Sequence, residues 1–174
     1  SETTPMIIPK PSADTTEFDA LARRVDEAIA AIAALDEPAK AQATELKDAG
    51  LDYYNHNLDT SPEFYDKIIT TRTMQDRIDT LAHAREAGLK VCCGGIIGLG
   101  EEFSHRVEMA ETLRELDVDT VPINFLNPVE GTRLADAAFL TPMECLRIIA
   151  LYRFMLPEKD LTVCGGREKN LREL

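Results

Sequence analysis

Polar side chains crowd one short segment of this chain. Residues 53–61 have the sequence YYNHNLDTS, in which Asn55, Asn57 and Asp59 occupy alternate positions at the end of an apolar run. Carboxamide and carboxylate groups are strong hydrogen-bonding groups, so this pattern suits a small-molecule site. The same residues could instead cap a helix that begins near Ser61. The segment alone leaves both interpretations open.

Further side chains that could bind or react follow three other apolar runs. Cys92 precedes the glycine-rich sequence GGIIGLGE at 94–101, Asn124 ends another run, and Arg167 follows a pair of glycines. Glycines let a backbone approach a flat ring closely, although the same loop could cradle a phosphate. Taken alone, Cys92 could be a buried structural thiol. Arg167 could clamp a carboxylate or another anion.

The elements that must position these residues alternate along the chain. Four apolar runs predict strands, and they span residues 51–55, 90–99, 120–126 and 161–166. Amphipathic patterns predict the helices between them, which span about 73–87, 101–117 and 141–155, with a further helix from 167. Strands separated by helices form parallel βαβ units, whose carboxyl ends meet at one rim. We therefore expect the polar side chains to share one site.

This pattern predicts an α/β fold, a partial (βα) TIM-type barrel of about four βα units. Extra N-terminal helices are expected over 16–34 and 36–50. Residues 1–15, rich in Pro, Ser and Thr, are expected to form a flexible arm, and residues 16–174 the barrel domain. A complete barrel needs roughly 250 residues. An incomplete one leaves a sheet edge that the N-terminal helices, a partner chain or further polypeptide must cover.

The composition argues against several functional classes. A formal net charge of −12 disfavours binding to a nucleic-acid backbone. Runs of about 18 apolar residues, which would predict a membrane-spanning helix, are absent from the sequence, and SETTPMIIPK does not have the pattern of a secretory signal. The four cysteines lack the spacing of a zinc site. We expect reduced thiols in a cytoplasmic protein.

Longer motifs establish a resemblance. From about Ala43 to Leu174, the chain resembles the biotin synthase family of the radical S-adenosylmethionine (SAM) superfamily. The motifs that carry it are YYNHNLDTSPEFYDKIITTRT, AREAGLKVCCGGIIGLGE, VPINFLNPVEGT and VCGGREKNL. The resemblance implies a radical SAM-type barrel that holds iron–sulfur clusters, SAM and dethiobiotin. It also implies sulfur insertion that gives biotin through a 5′-deoxyadenosyl radical, an electron donor such as flavodoxin or ferredoxin, and a homodimeric full enzyme.

The resemblance implies a binding role for several polar residues. Asn57 and Asp59 match residues that hold the ribose hydroxyls of SAM, as acidic residues do in dinucleotide folds. Asn55 and Asn124 match two asparagines that hydrogen-bond the ureido ring of the substrate. A carboxamide suits a cyclic urea because each offers both a donor and an acceptor.

Two further pairs of residues gain roles from the same resemblance. Gly95 and Ile97 lie in GGIIGLGE, which is similar to the G-x-I-x-G-x-x-E pattern that packs against adenine. Cys92 and Arg167 match ligands of an auxiliary [2Fe–2S] cluster, the proposed sulfur donor, and are the implied catalytic residues. An arginine is normally protonated, so metal ligation requires a shielded and strongly perturbed site.

The chain departs from the family in its cluster ligands. The family's CxxxCxxC loop, which holds the [4Fe–4S] cluster, has no counterpart among the four cysteines. Only Cys92 and Arg167 of the four [2Fe–2S] ligands are present, and four are normally required. We therefore expect an incomplete part of the enzyme that is inactive in isolation. The alternatives are a degenerate paralogue or split subunit that binds SAM or a small heterocycle without clusters, and a radical enzyme for another heterocycle.

Overall fold

The computed structural model describes residues 39–171, all within one compact unit of the chain. The described elements are, in order, α1 (Ala39–Asp48), β1 (Tyr53–Asn55), α2 (Pro62–Ile68), α3 (Met74–Glu86), β2 (Lys90–Cys92), β3 (Gly95–Ile97), α4 (Phe103–Glu115), β4 (Thr120–Phe125), α5 (Pro142–Met155), β5 (Asp160–Val163) and α6 (Arg167–Asn170). The arm predicted at 1–15 and the helix predicted over 16–34 lie outside the described residues. The predicted domain bounds therefore stay predictions.

Local sequence signals set the helix boundaries. The Thr73 hydroxyl accepts from the Asp76 amide, and the Asp76 carboxylate accepts from the Thr73 amide, which starts α3. Thr141 and Glu144 form the same reciprocal box at the start of α5. Such boxes satisfy amides that have no partner within the helix. Gly88, with φ of 80°, turns the chain out of α3.

The strands form one parallel sheet. β1 pairs with β2, both β2 and β3 pair with β4, and β4 pairs with β5. When β2 and β3 are counted as the two parts of one interrupted strand, neighbouring strands follow chain order as they do in a barrel, so the predicted α/β partial barrel is confirmed. The strand predicted at 90–99 is interrupted at Cys93 and Gly94. A β-carbon on Gly94 would lie 2.0 Å from the Pro122 carbonyl oxygen, so this crossing requires glycine.

The two faces of the sheet have different neighbours. One face packs with the helices into a hydrophobic core that includes Val91, Ile97, Val121, Ile123, Phe125, Leu81, Met109, Leu113, Ile148 and Tyr152. Because strand side chains alternate between faces, the intervening positions lie on the opposite face, here called the site face. Its residues include Asn55, Cys92, Ile96 and Asn124. Within residues 39–171, no helix is both long and apolar enough to cross a membrane.

Candidate cofactor and substrate site

The end of β1 places Asn55 beside Cys92. The two residues are register partners in the β1–β2 pair, and Asn55 Nδ2 donates to Cys92 Sγ at 3.2 Å. A carboxamide has two N–H donors and an acceptor oxygen. Within the described part of the chain, one donor and the oxygen of Asn55 are left for a ligand. The structure thus brings a predicted substrate residue into contact with a predicted cluster ligand.

The segment after β1 continues beside the chain that follows Cys92. Asn57 Oδ1 accepts from the Gly94 amide at 3.0 Å, and the Leu58 amide donates to the Gly94 carbonyl at 3.0 Å. Asp59 then forms a parallel bridge with Gly95. The crowded polar residues therefore prolong a strand at the carboxyl edge of the sheet.

Asp59 has an uncommon backbone conformation and a partly desolvated carboxylate. Its φ of 70° lies in the left-handed region, which is rare for residues other than glycine and recurs at functional sites. Asp59 Oδ2 lies 2.8 Å from Arg77 Nη2, and 27% of the Asp59 side chain is exposed. Burial raises the pKa of this carboxyl above its usual value, while the Arg77 charge opposes the rise. The exposed part of the carboxylate can accept a hydrogen bond from a ligand.

The helix-cap interpretation of these residues is wrong. α2 begins after Ser61, and the Ser61 side chain makes no cap hydrogen bond. The three polar side chains at 55, 57 and 59 are hydrogen-bonded or ion-paired to groups on other segments. Their crowding is therefore not explained by the start of α2.

Asn124 bridges the ends of the neighbouring strands. Its Nδ2 donates to the Gly95 carbonyl at 3.2 Å, and its Oδ1 accepts from the Gly165 amide at 2.8 Å. One N–H and one oxygen lone pair remain for a ligand. Asn124 therefore has a structural role in addition to the predicted substrate role.

The glycine-rich loop requires a correction. Ile97 is only 1% exposed and packs into the hydrophobic core, so its side chain is not on the site face. Ile96, half-buried and in register with Asn124, occupies that face. Because strand side chains alternate between faces, Ile96, and not the predicted Ile97, is the candidate for a ligand contact. A β-carbon on Gly95 would lie 2.5 Å from Met109 Sδ, so the glycine at this position permits close packing of α4.

Arg167 follows a tight turn after β5. Gly166 has φ of 75°, and a β-carbon there would lie 1.9 Å from the Phe125 carbonyl oxygen, so the turn requires glycine. Arg167 is exposed and lines a cavity of about 480 Å³ together with Asn127 and residues 164–169. The cavity lies at the same carboxyl edge as the other candidate residues.

The two predicted cluster ligands, Cys92 at the end of β2 and Arg167 after β5, contact different parts of β4. Cys92 is in register with Thr120 at the start of β4, whereas the turn before Arg167 is bonded to Phe125 at its end. Among the residues from 39 to 171, no group of three or more His, Cys, Asp or Glu side chains could hold a metal ion. Cys92 and Arg167 alone do not fit an iron–sulfur cluster.

Glu101 is a further candidate site residue that the sequence predictions did not assign. Its carboxylate, only 3% exposed, accepts from the Gly98 amide at 2.9 Å and from Arg106 Nε at 2.8 Å. These bonds fix the glycine-rich loop beside Ile96. The signal was present in the sequence, because Glu101 is the acidic residue of the G-x-I-x-G-x-x-E pattern.

Two further polar residues were missed. Arg77 on α3 contacts the segment that carries Asn57 and Asp59. Asn170, 1% exposed, accepts from the Leu140 amide at 3.0 Å and donates to the Leu126 carbonyl at 3.2 Å, so it joins both ends of the loop between β4 and α5. The partners in each of these contacts are at least 18 residues apart in the sequence, so no local sequence pattern predicts the contacts.

Comparisons with known proteins identify the family. Residues 14–113, more than half of the chain, match the model of the radical SAM superfamily. The chain belongs to the radical SAM superfamily. The match begins upstream of Ala43, where the sequence motifs begin. Residues 122–174 match a second model, the Biotin and Thiamin Synthesis associated domain, and this region of the radical SAM chain carries Asn124 and Arg167.

The curated relatives confirm the resemblance to biotin synthases. The chain is 63% identical to the biotin synthase of Pelobacter propionicus over 74% of the chain and 39% of the relative. It is 60% identical to the biotin synthase of Geotalea uraniireducens over 76% of the chain and 40% of the relative. This radical SAM chain therefore spans about 40% of the length of the curated relatives that it matches.

A solved structure supports the fold. The crystal structure of methylornithine synthase (PylB) superposes with a TM-score of 0.65 over 76% of this chain and 41% of that chain. The two sequences are 22% identical, so the likeness concerns the fold alone.

Proposed function

We propose that this radical SAM chain is the nucleoside- and substrate-binding part of a biotin synthase, which converts dethiobiotin into biotin by sulfur insertion. The observation that carries the proposal is the grouping of Asn55, Asn57, Asp59 and Asn124 at the carboxyl ends of neighbouring parallel strands. Ligands of parallel α/β sheets bind at that edge. The high identity to biotin synthases supports dethiobiotin as the substrate.

In this proposal, the segment after β1 binds the ribose of SAM. The Asp59 carboxylate accepts from a ribose hydroxyl, and the Asn57 amide, whose oxygen is already bonded to Gly94, donates to the other. Ile96 packs against the adenine, in a loop that Glu101 holds in place. When bound and reduced, SAM supplies the 5′-deoxyadenosyl radical that the reaction uses.

The two asparagines of the site face bind the ureido ring of dethiobiotin. Asn55 and Asn124 each donate one N–H to a protein group, and the second N–H of each carboxamide is left for a ligand. A cyclic urea presents two N–H groups and a carbonyl oxygen, so it can satisfy both a carboxamide donor and a carboxamide acceptor. The protein bonds fix each carboxamide before the ligand arrives, which reduces the ordering entropy lost on binding.

The iron–sulfur clusters require ligands beyond the described residues. Cys92 and Arg167 stay candidate ligands of a [2Fe–2S] cluster, and the [4Fe–4S] ligands are absent from the sequence. An electron donor of the flavodoxin or ferredoxin type, a homodimeric assembly and a cytoplasmic location belong to the same proposal. They are supported by the similarity to biotin synthases.

A chimaera tests the proposal in a complete enzyme. The segment of the Pelobacter propionicus biotin synthase that matches this chain is replaced by the chain's own residues, and biotin formation from dethiobiotin is measured under anaerobic conditions. We expect activity within about tenfold of the parent. Asn55→Ala in the chimaera should raise the KM for dethiobiotin, because a substrate hydrogen bond worth about 1 kcal/mol is lost. A folded chimaera that cleaves SAM but forms no biotin would contradict the substrate assignment.

A cluster-free binding subunit is the second candidate function. It is favoured by the lack of a CxxxCxxC motif among the four cysteines. The 174-residue chain is reconstituted anaerobically with iron and sulfide and assayed for brown colour and for 5′-deoxyadenosine. A colourless chain that still binds adenosine supports the binding subunit. A brown chain that cleaves SAM excludes it and shows that the chain is catalytically complete for that step.

A further inference from the structure

We infer that Arg77 is a positioning residue, which holds Asp59 in the orientation that accepts from the ribose diol of the nucleoside. This inference rests on the proposed function, in which Asp59 binds that ribose. Arg77 lies in the first turn of α3, 18 residues beyond Asp59 in the sequence, and only 18% of its side chain is exposed.

The guanidinium group of Arg77 joins three different groups. Its Nη2 lies 2.8 Å from Asp59 Oδ2, its Nη1 donates to the Asn57 carbonyl at 2.8 Å, and its Nε donates to the Tyr65 hydroxyl at 3.0 Å. Tyr65 is fully buried, so it gives the guanidinium a fixed anchor. The planar fork of an arginine is required, since a lysine ammonium is a point charge that cannot reproduce this geometry.

The backbone at Asp59 needs such support. Its φ of 70° is costly for a residue with a side chain, and the conformation persists only where surrounding contacts determine it. Arg77 contacts the carbonyl of Asn57, two residues before the strained position, and the side-chain carboxylate of Asp59 itself. The same contact opposes the rise in the Asp59 pKa that burial causes, and so favours the ionised carboxylate, which is the better acceptor.

Arg77 therefore acts on the nucleoside through Asp59. Asp59 Oδ2 is occupied by the guanidinium, which leaves Oδ1 as the acceptor for a ribose hydroxyl. Loss of Arg77 would release the carboxylate to rotate and the backbone to relax from φ of 70°. The selectivity for a nucleoside with a 2′,3′-diol should then fall, even though Asp59 itself is unchanged.

The test compares adenosine with 2′,3′-dideoxyadenosine by calorimetric titration of the full chain. Neither ligand has a carboxylate that a guanidinium could pair with directly, so the comparison isolates the diol. We expect the parent chain to prefer adenosine about tenfold, the size of a hydrogen bond to a charged group. Arg77→Ala and Arg77→Lys should each reduce the preference to less than about twofold. Tyr65→Phe, which removes only the anchor, should have an intermediate effect.

Arg114→Ala is the matched control, because Arg114 is an exposed arginine in the last turn of α4. It removes the same charge and should retain the tenfold preference. If Arg77→Ala does not fold, as judged by circular dichroism, Arg77→Lys decides the outcome. Folded Arg77 variants that keep the full preference would overturn the positioning role while leaving the ribose assignment intact. A parent chain with no preference would refute the ribose assignment, and the inference would fall with it.

Discussion

Replacement of Gly166 by alanine should destabilise the fold far more than the same replacement at Gly131. Both glycines have positive φ, 75° and 82°, but a β-carbon on Gly166 would lie 1.9 Å from the Phe125 carbonyl oxygen, whereas nothing lies within 4 Å of one on Gly131. The left-handed conformation costs an alanine about 1–2 kcal/mol at either position. Gly131→Ala is therefore the control for backbone strain alone.

The additional cost at Gly166 comes from the end of β4. Relief of the clash requires a backbone shift, because the contacted atom is a carbonyl oxygen that cannot rotate away. That shift breaks the bond from the Phe125 amide to the Gly165 carbonyl and the bond from the Gly165 amide to Asn124 Oδ1. At about 1 kcal/mol each, the total for Gly166→Ala becomes about 3–4 kcal/mol.

Urea unfolding followed by circular dichroism measures both costs as free energies of unfolding. The expected difference between the two variants is about 2 kcal/mol, well above the error of such measurements when the slopes agree. Equal losses at the two positions would refute the close packing of the turn against β4. If Gly131→Ala lowers the free energy of unfolding by less than about 1 kcal/mol, the backbone at position 131 can leave the positive-φ region without cost to the fold.

The remaining predictions concern caps, buried amides and thiols. Thr141→Ala should lower the free energy of unfolding by about 1 kcal/mol through loss of a cap, whereas Ser61→Ala should change it little because the Ser61 hydroxyl makes no cap bond; urea unfolding of both variants measures the difference. Asn170→Ala should cost about 2–4 kcal/mol in the same assay, since a buried amide that serves three backbone groups is lost. Burial raises the pKa of Cys93 to about 12, so its thiolate is scarce up to pH 9. Mass spectrometry after iodoacetamide treatment should find Cys93 unmodified in the folded chain and the exposed Cys164 alkylated; alkylation of Cys93 before unfolding would contradict the packing.

Much of the fold could be predicted because its signals are local. The helix predicted at 73–87 is α3 at Met74–Glu86, where a capping box and a glycine mark the two ends. The helix predicted at 141–155 is α5 at Pro142–Met155, with a capping box and a proline at its start. Strand alternation with helices was sufficient to predict the parallel order of the sheet.

The candidate site could be predicted only in part. Asn55, Asn57, Asp59 and Asn124 are brought to one edge as expected, because the carboxyl ends of parallel strands converge. The interruption between β2 and β3 depends on the close approach of Gly94 to Pro122, a contact between distant segments that the sequence does not reveal. The assignment to Ile97 neglected the alternation of strand side chains, which places Ile96 on the site face.

The contacts of Arg77 and Asn170 were missed for a related reason. Each side chain satisfies backbone groups that are remote in sequence, and a single sequence carries no periodic pattern for such contacts. Long-range polar contacts of this kind are set by packing of the helices onto the sheet. They become visible only when the tertiary structure is available.

Both the proposed function and the role of Arg77 require that the carboxyl edge of this sheet binds a nucleoside through the segment YYNHNLDTS. A titration of the ¹⁵N-labelled chain with SAM, followed by backbone amide chemical shifts, tests it most directly. We expect saturable shifts confined to residues 55–60, 92–98 and 124–127, and their loss in Asp59→Ala. Saturable shifts centred on α1 or the exposed side of α5, or no saturable shift at all, would contradict it.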